Sequence, residues 1–146
     1  MAKCRDVMTP DPQCCEPGDP VTRAAEMMKS HNVGSLPVVE SRASGKLVGI
    51  VTDRDLVTKV VAGGRDVAGA TVKDAMTSTP VHCSEGDDVE RAISSMAERQ
   101  IRRLPVVDTS GRLTGIIAQA DIATRVNQDR QTGQMVESIS APGLNR

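Results

Sequence analysis

The chain has no phenylalanine, tyrosine or tryptophan among its 146 residues. That absence removes the flat side chains on which single-stranded nucleic acids stack. It also leaves the core to Val, Leu, Ile, Ala and Met, with seven Met available to fill irregular gaps. Charge of one sign is lacking too. The formal net charge is −1, so the basic face of a nucleic-acid binder is missing. No apolar run approaches the roughly 18–20 residues that span a bilayer. The opening MAKCRDVMTPDP lacks the apolar stretch, about 7–15 residues long, of a secretory signal. A cytoplasmic protein with neither nucleic-acid nor membrane partners is expected. The four Cys show no C-x-x-C spacing, which favours free thiols over a zinc finger. There is no Walker or Rossmann glycine loop, no metal triad and no nucleophile–base pair, so an enzyme is not expected.

What the chain does have is an internal repeat. At a shift of 68 residues, Asp6-Val7-Met8-Thr9 falls on Asp74-Ala75-Met76-Thr77, Cys15 on Cys83, and Gly18-Asp19 on Gly86-Asp87. Leu36-Pro37-Val38-Val39 falls on Leu104-Pro105-Val106-Val107 in the same register. After a two-residue difference in loop length, Gly49-Ile50 and Asp55 meet Gly115-Ile116 and Asp121. Repeats are therefore expected over residues 1–66 and 67–128, followed by a polar tail over 129–146, with a short amphipathic turn at Gln134 to Ile139.

Each repeat reads as β-α-β-β-α. A short extended piece, Gln13 to Glu16 or Val81 to Ser84, leads to a Gly-Asp turn. Asp19-Pro20 reads as an N-cap followed by proline at the first helical position. The helix Val21 to Ser30 carries Val21, Ala24, Ala25 and Met28 on one stripe, and Val89, Ala92, Ile93 and Met96 repeat it. Strands are expected at Leu36–Val39 and Leu47–Val51, and at Leu104–Val107 and Leu113–Ile117. A second helix begins near Asp53 and stops at Gly63-Gly64. One such unit cannot cover both faces of its sheet. The expected fold is thus α/β, with two β-α-β-β-α repeats packed about a pseudo-twofold axis and their small sheets facing each other.

The first repeat's second strand runs into Gly49-Ile50-Val51-Thr52-Asp53-Arg54-Asp55. This delivers a hydroxyl and carboxylates to a strand–helix junction, where free helix-start amides attract anions and a carboxylate can accept ribose hydroxyls. In order, the Val-Met-Thr opening, the Leu-Pro-Val-Val strand and this segment resemble the CBS domain family and its G-h-x-[ST]-x-x-[DN] ribose-phosphate motif. The resemblance covers about residues 5–126 and occurs twice. It implies a non-enzymatic sensor that binds an adenine nucleotide in the cleft between the repeats, with AMP, ADP or ATP foremost and NAD(H) or S-adenosylmethionine as further adenosyl ligands. It implies that Asp55 holds the ribose hydroxyls, that Thr52 contacts ribose or phosphate beside Asp53 and Arg54, and that Gln13, Cys14 and Cys15 wall the adenine. Gly34 and Ser35, and Arg102 and Arg103 in the second repeat, are implied near the phosphates. The second motif reads Gly115-Ile116-Ile117-Ala118-Gln119-Ala120-Asp121. Ala118 replaces the hydroxyl, so Asp121 is expected to serve the weaker site. A homodimer and a separate effector chain are also implied.

Blander readings stand beside these. Asp55 and Asp121 could simply cap the following helices. Thr52 could be a strand-end hydroxyl, and Arg102 and Arg103 solvated charges. Cys14-Cys15 and His82-Cys83 occupy equivalent places and could make a ligand-independent, thiol- or metal-responsive protein. Alternation along a strand lets only one of each pair point inward, which favours Cys15 and Cys83 in the core. His31 closes a helix, where a cation is favourable, and Glu26 and Glu98 lie on exposed helix positions.

Overall fold

The computed structural model describes residues 2–124. The tail over 129–146 and the turn expected at Gln134 to Ile139 lie outside the described residues. In chain order the elements are α1 (Cys4–Val7), β1 (Thr9–Pro10), α2 (Val21–His31), β2 (Ser35–Val39) and β3 (Leu47–Thr52). Next come α3 (Asp53–Asp55), continued by wide π-type turns over Leu56–Val61, then α4 (Val72–Ala75) and β4 (Thr77–Ser78). The last are β5 (Cys83–Ser84), α5 (Val89–Arg99), β6 (Arg103–Val107), β7 (Leu113–Ala118) and a helix α6 over 119–124.

These elements form two compact units. The first holds Gln13–Pro80 and Ser110–Leu113. Its sheet runs β2-β3-β4, all antiparallel, with Ile50 opposite Thr77 and Gly49 opposite Ser78. Its core gathers Val21, Ala24 and Met28 of α2 with Leu36, Val38, Val51, Val60, Val72 and Cys15. The second unit, among the described residues, holds 2–12, 81–109 and 114–124. Its sheet runs β1-β7-β6-β5, with Thr9 opposite Ile116 and Cys83 parallel to Val106. Val89, Ala92 and Met96 of α5 pack there on Leu104, Val106, Ile117 and Ile122. The core is aliphatic and sulfur-bearing, as the missing aromatics require.

The repeated Asp-x-Met-Thr segment has a complete local explanation. The Asp74 carboxylate accepts the Thr71 amide at 2.9 Å, and Asp6 accepts the Lys3 amide at the same distance, closing the first turn of α4 and of α1. The next residue, Ala75 or Val7, is buried. The Met then lies over a glycine of the sheet, and the Thr pairs as a two-residue strand. β1 joins the second repeat's strands and β4 joins the first's, so each opening segment completes the sheet of the other repeat.

Several expectations need correction. The β-α-β-β-α order holds in both repeats, and α1, β1, α4 and β4 are additions to it that carry no periodicity because they are two to four residues long. The Asp19 side chain does not cap α2. Its carboxylate accepts the Glu16 amide at 2.9 Å, closing the preceding turn, and Asp87 does the same for Ser84. The N-cap is Pro20, and the helix's first amide, on Val21, donates to the Ala70 carbonyl at 3.1 Å. Ala25 is exposed rather than on the buried stripe. The second helix of the first repeat is mostly π-type, with the Ala62 amide donating to the Val57 carbonyl five residues back at 2.8 Å.

Candidate functional site

The end of β3 and the start of α3 bring Gly34, Ser35, Thr52, Asp53 and Asp55 together. Ser35 pairs with Thr52 across the sheet. The Asp53 amide donates to the Gly34 carbonyl at 2.9 Å, and a Cβ on Gly34 would lie 3.2 Å from the Asp53 carboxylate. Thr52 and Asp55 form a reciprocal cap. The Asp55 amide donates to the Thr52 hydroxyl at 3.0 Å, and the Thr52 amide donates to Asp55 Oδ2 at 3.0 Å. The other carboxylate oxygen of Asp55, Oδ1, meets Lys59 Nζ at 3.2 Å, one turn along the helix.

This geometry corrects one expectation. The amides of residues 52 to 55 are not free for an anion, because each already has an acceptor, the Arg54 amide taking Asp53 Oδ1 at 2.8 Å. A helix this short and this completely capped offers no open amide nest. Any phosphate binding here falls to side-chain cations.

The second repeat keeps half of the device. The Ala118 amide donates to Asp121 Oδ2 at 3.1 Å, and the Gln119 amide to the Arg102 carbonyl at 2.9 Å, which reproduces the Asp53–Gly34 link. Ala118 has no hydroxyl to return. The Thr9 hydroxyl, arriving on β1, reaches Asp121 Oδ2 at 3.5 Å. Arg102 is exposed, while Arg103 is half-buried at the start of β6, and its Nε is buried with no hydrogen-bond partner. A guanidinium donor left without an acceptor is costly, and among the described residues this is the one buried side-chain nitrogen or oxygen so left.

The adenine-wall candidates divide. Gln13 is exposed and Cys14 half-buried, but Cys15 is fully buried. The Cys15 amide donates to the Pro37 carbonyl at 3.1 Å, and its carbonyl accepts the Val39 amide at 2.9 Å. Burial pushes the Cys15 thiol up to about 12. Cys15 bridges to Val38, three positions along β2 from Ser35, which is roughly 10 Å at strand rise. Cys83 is buried as well, and His82 is exposed. Among the described residues no three His, Cys, Asp or Glu stand together as a metal set. Cys83 shares its core cluster with Cys4, a pairing the repeat concealed because Val72 takes the place of Cys4 in the second repeat.

Two copies of one small α/β unit, each ending a strand at a carboxylate-capped helix start, define a duplicated α/β-module fold. The chain belongs to the CBS domain family, whose profile matches residues 4–62 and 72–127. Over its whole length it is 40% identical to the uncharacterized protein YlbB of Bacillus subtilis, covering 96% of that protein. It is 32% identical to hypoxic response protein 1 of Mycobacterium tuberculosis over 97% of this chain and 96% of that one. The structure of hypoxic response protein I, solved with two coordinated zinc ions, overlays with a TM-score of 0.76, covering 84% of this chain and 98% of that one. CBSX2, a CBS-pair protein of Arabidopsis thaliana, was solved in complex with AMP. That complex overlays with a TM-score of 0.78 at 28% identity, covering 89% of this chain and 99% of that one. A CBS domain pair in complex with 5-methylthioadenosine and S-adenosyl-L-methionine overlays at 0.75 with 26% identity, over 88% and 98%. Similarity to the inosine-5'-monophosphate dehydrogenase of Thermoplasma acidophilum is confined to 22% of that enzyme. No helix among the described residues is long and apolar enough to cross a membrane.

Proposed function

We infer that this chain is a non-enzymatic regulatory module that binds an adenine nucleotide and acts on a separate effector protein in the cytoplasm, as a homodimer. Support for the adenosine moiety comes from the similar CBS pairs solved with AMP and with S-adenosyl-L-methionine. The phosphate rests on one observation, the buried Nε of Arg103 with no acceptor. A phosphate oxygen would satisfy it, and a planar guanidinium can hold two such oxygens at once. Within the second unit Arg102 and Arg103 are assigned to phosphate, and within the first Thr52 and Asp55 to ribose. Asp55 Oδ1 exchanges Lys59 for a ribose hydroxyl, while Oδ2 keeps the cap. Gln13 and Cys14 border the adenine, and Cys15, engaged on both backbone atoms and buried, contributes no side-chain contact. Asp53 and Arg54 lie exposed at the rim.

The test is a thermal-shift panel over AMP, ADP, ATP, NAD(H), S-adenosylmethionine and adenosine. A raised melting temperature with phosphate-bearing adenosyl ligands is expected. An unchanged curve with every one of them overturns the reading in favour of a ligand-independent, thiol- or metal-responsive protein using Cys14, Cys15, His82 and Cys83.

A further inference from the structure

The second unit contains a pair of buried thiols that the proposed nucleotide contacts do not use. Cys4 opens α1, and Cys83 opens β5; they are 0% and 4% exposed and share one core cluster. The chain around them is pinned. The Cys4 amide donates to the Asp87 carbonyl at 2.8 Å, the Arg5 amide to the Glu85 carbonyl at 3.1 Å, and the Val89 amide to the Ala2 carbonyl at 3.0 Å. Lys3 Nζ meets Asp88 Oδ1 at 2.7 Å. This ladder brings Cys4 and Cys83 into one core cluster, near enough for each thiol to shift the other's titration, Cys4 down and Cys83 up. The Cys4 sulfur also lies 3.9 Å from the Asp88 carbonyl.

The first unit supplies an internal control. Its equivalent pair is Val72 and Cys15, both 0% exposed. The position of Cys4 is therefore filled as well by a branched hydrocarbon, and packing alone does not call for a second sulfur. Cys15 has no thiol neighbour in its core cluster. The contact with Cys83 holds the Cys4 thiol below its ordinary range, since a thiolate there accepts the neighbouring S–H, although burial opposes the shift.

We propose that Cys4 and Cys83 form a reversible dithiol–disulfide site that hydroperoxides oxidise, fastening the opening segment to β5 of the second unit. The Cys4 thiolate attacks one peroxide oxygen; an S–O bond forms, the O–O bond breaks, and the alcohol or water leaves after protonation. The Cys83 sulfur then attacks the Cys4 sulfenic acid. The S–S bond forms, the S–O bond breaks, and the Cys83 proton leaves with the hydroxide as water. Two thiols and one hydroperoxide give one disulfide, one alcohol or water, and one water; sulfur is oxidised and peroxide reduced. Both thiols are buried, so the reaction proceeds through local opening of the four-residue α1, and a thiol reductant reverses it.

The test is native-state oxidation of the full chain with hydrogen peroxide, followed by blocking of free thiols and non-reducing peptide mapping. A Cys4–Cys83 linked peptide, two hydrogens lighter than the separate peptides, is expected, with Cys15 still reduced. The oxidised protein should melt at a higher temperature, and reduction should restore the original value. Cys4→Val, which copies Val72, should fold and lose both the linked peptide and the peroxide-dependent shift. Oxidation of Cys14 alone, or links scattered over all four cysteines, overturns the proposal. So does a peroxide-dependent shift of unchanged size in Cys4→Val.

Discussion

The Met76 side chain lies directly over the bare Cα of Gly49: a Cβ on that glycine would stand 3.0 Å from Met76 Sδ and 2.9 Å from the Thr77 carbonyl oxygen. Met8 and Thr9 stand in the same way over Gly115. Gly49 and Gly115 are thus required by packing, before any ligand is considered. Gly49→Ala should cost about 1–3 kcal/mol through overpacking, read as a lower urea midpoint. Adding Met76→Ala should cost less in the Gly49→Ala background than in the wild type, because the new methyl then occupies vacated space. Strict additivity of the two changes would refute the contact.

The cap at α3 makes a second prediction. Thr52→Ala removes the hydroxyl that accepts the Asp55 amide and should cost about 0.5–2 kcal/mol. Ala118→Thr restores the missing half of the cap in the second repeat and should raise stability by a smaller amount. Urea unfolding of the two variants tests the pair, and a destabilised Ala118→Thr protein would contradict the equivalence of the junctions.

For the ligand, Asp55→Ala should weaken AMP binding roughly ten- to a hundredfold, or about 1.5–3 kcal/mol, through loss of a charge-assisted hydrogen bond to ribose. Asp55→Asn separates this from capping, since the amide oxygen still accepts the Thr52 N–H. Asp121→Ala should cost less affinity. Titration calorimetry decides the matter; equal losses at Asp55 and Asp121 would sink the ranking.

Arg102 and Arg103 are tested together. Their double replacement by Ala should weaken AMP and ATP far more than adenosine, which carries no phosphate. It should also reduce the salt sensitivity of nucleotide binding, because exposed pairing with phosphate is screened by salt. Equal losses for all three ligands would assign the arginines to the fold.

Val57 and Val61 of the π-type turns are 58% and 64% exposed. An aliphatic chain that leaves such side chains in water is expected to cover them by symmetric association. Sedimentation should show a dimer that Val57→Asp with Val61→Asp weakens. A wild-type monomer at high concentration would refute the assembly.

Much of this fold was legible in the sequence, and the omissions share a cause. α2, α5 and the four long strands carry period 3.6 or near-continuous apolar runs, so Val21, Ala24 and Met28, or Leu36 to Val39, declare their own burial. Thr9-Pro10 and Thr77-Ser78 declare nothing, because their strand character comes only from partners far along the chain. Asp19 beside Pro20 satisfies the local rule for a cap, yet the nearer Glu16 amide takes its carboxylate. Thr52 and Asp55 were legible as a constellation. That they satisfy each other, closing the amides to an outside anion, follows the capping-box spacing of a Thr and a carboxylate three residues apart, of which the sequence reading weighs only the Asp55 half. The pairing of Cys4 with Cys83 was hidden because only one member has a cysteine counterpart in the other repeat.

The exchange of opening segments also orders events in time. Residues 13–80 carry β2, β3 and β4 in one continuous stretch, so the first sheet can be assembled once Ser78 has been synthesised. Thr9 and Pro10 pair with Ile116 and Gly115, which are made more than a hundred residues later. The earlier-made strand therefore waits for the later one, a wait imposed by long-range pairing. Throughout that interval Met8 has no Gly115 to cover. Among the described strands, β1 thus depends on a partner made far later, whereas β4 finds β3 already in place.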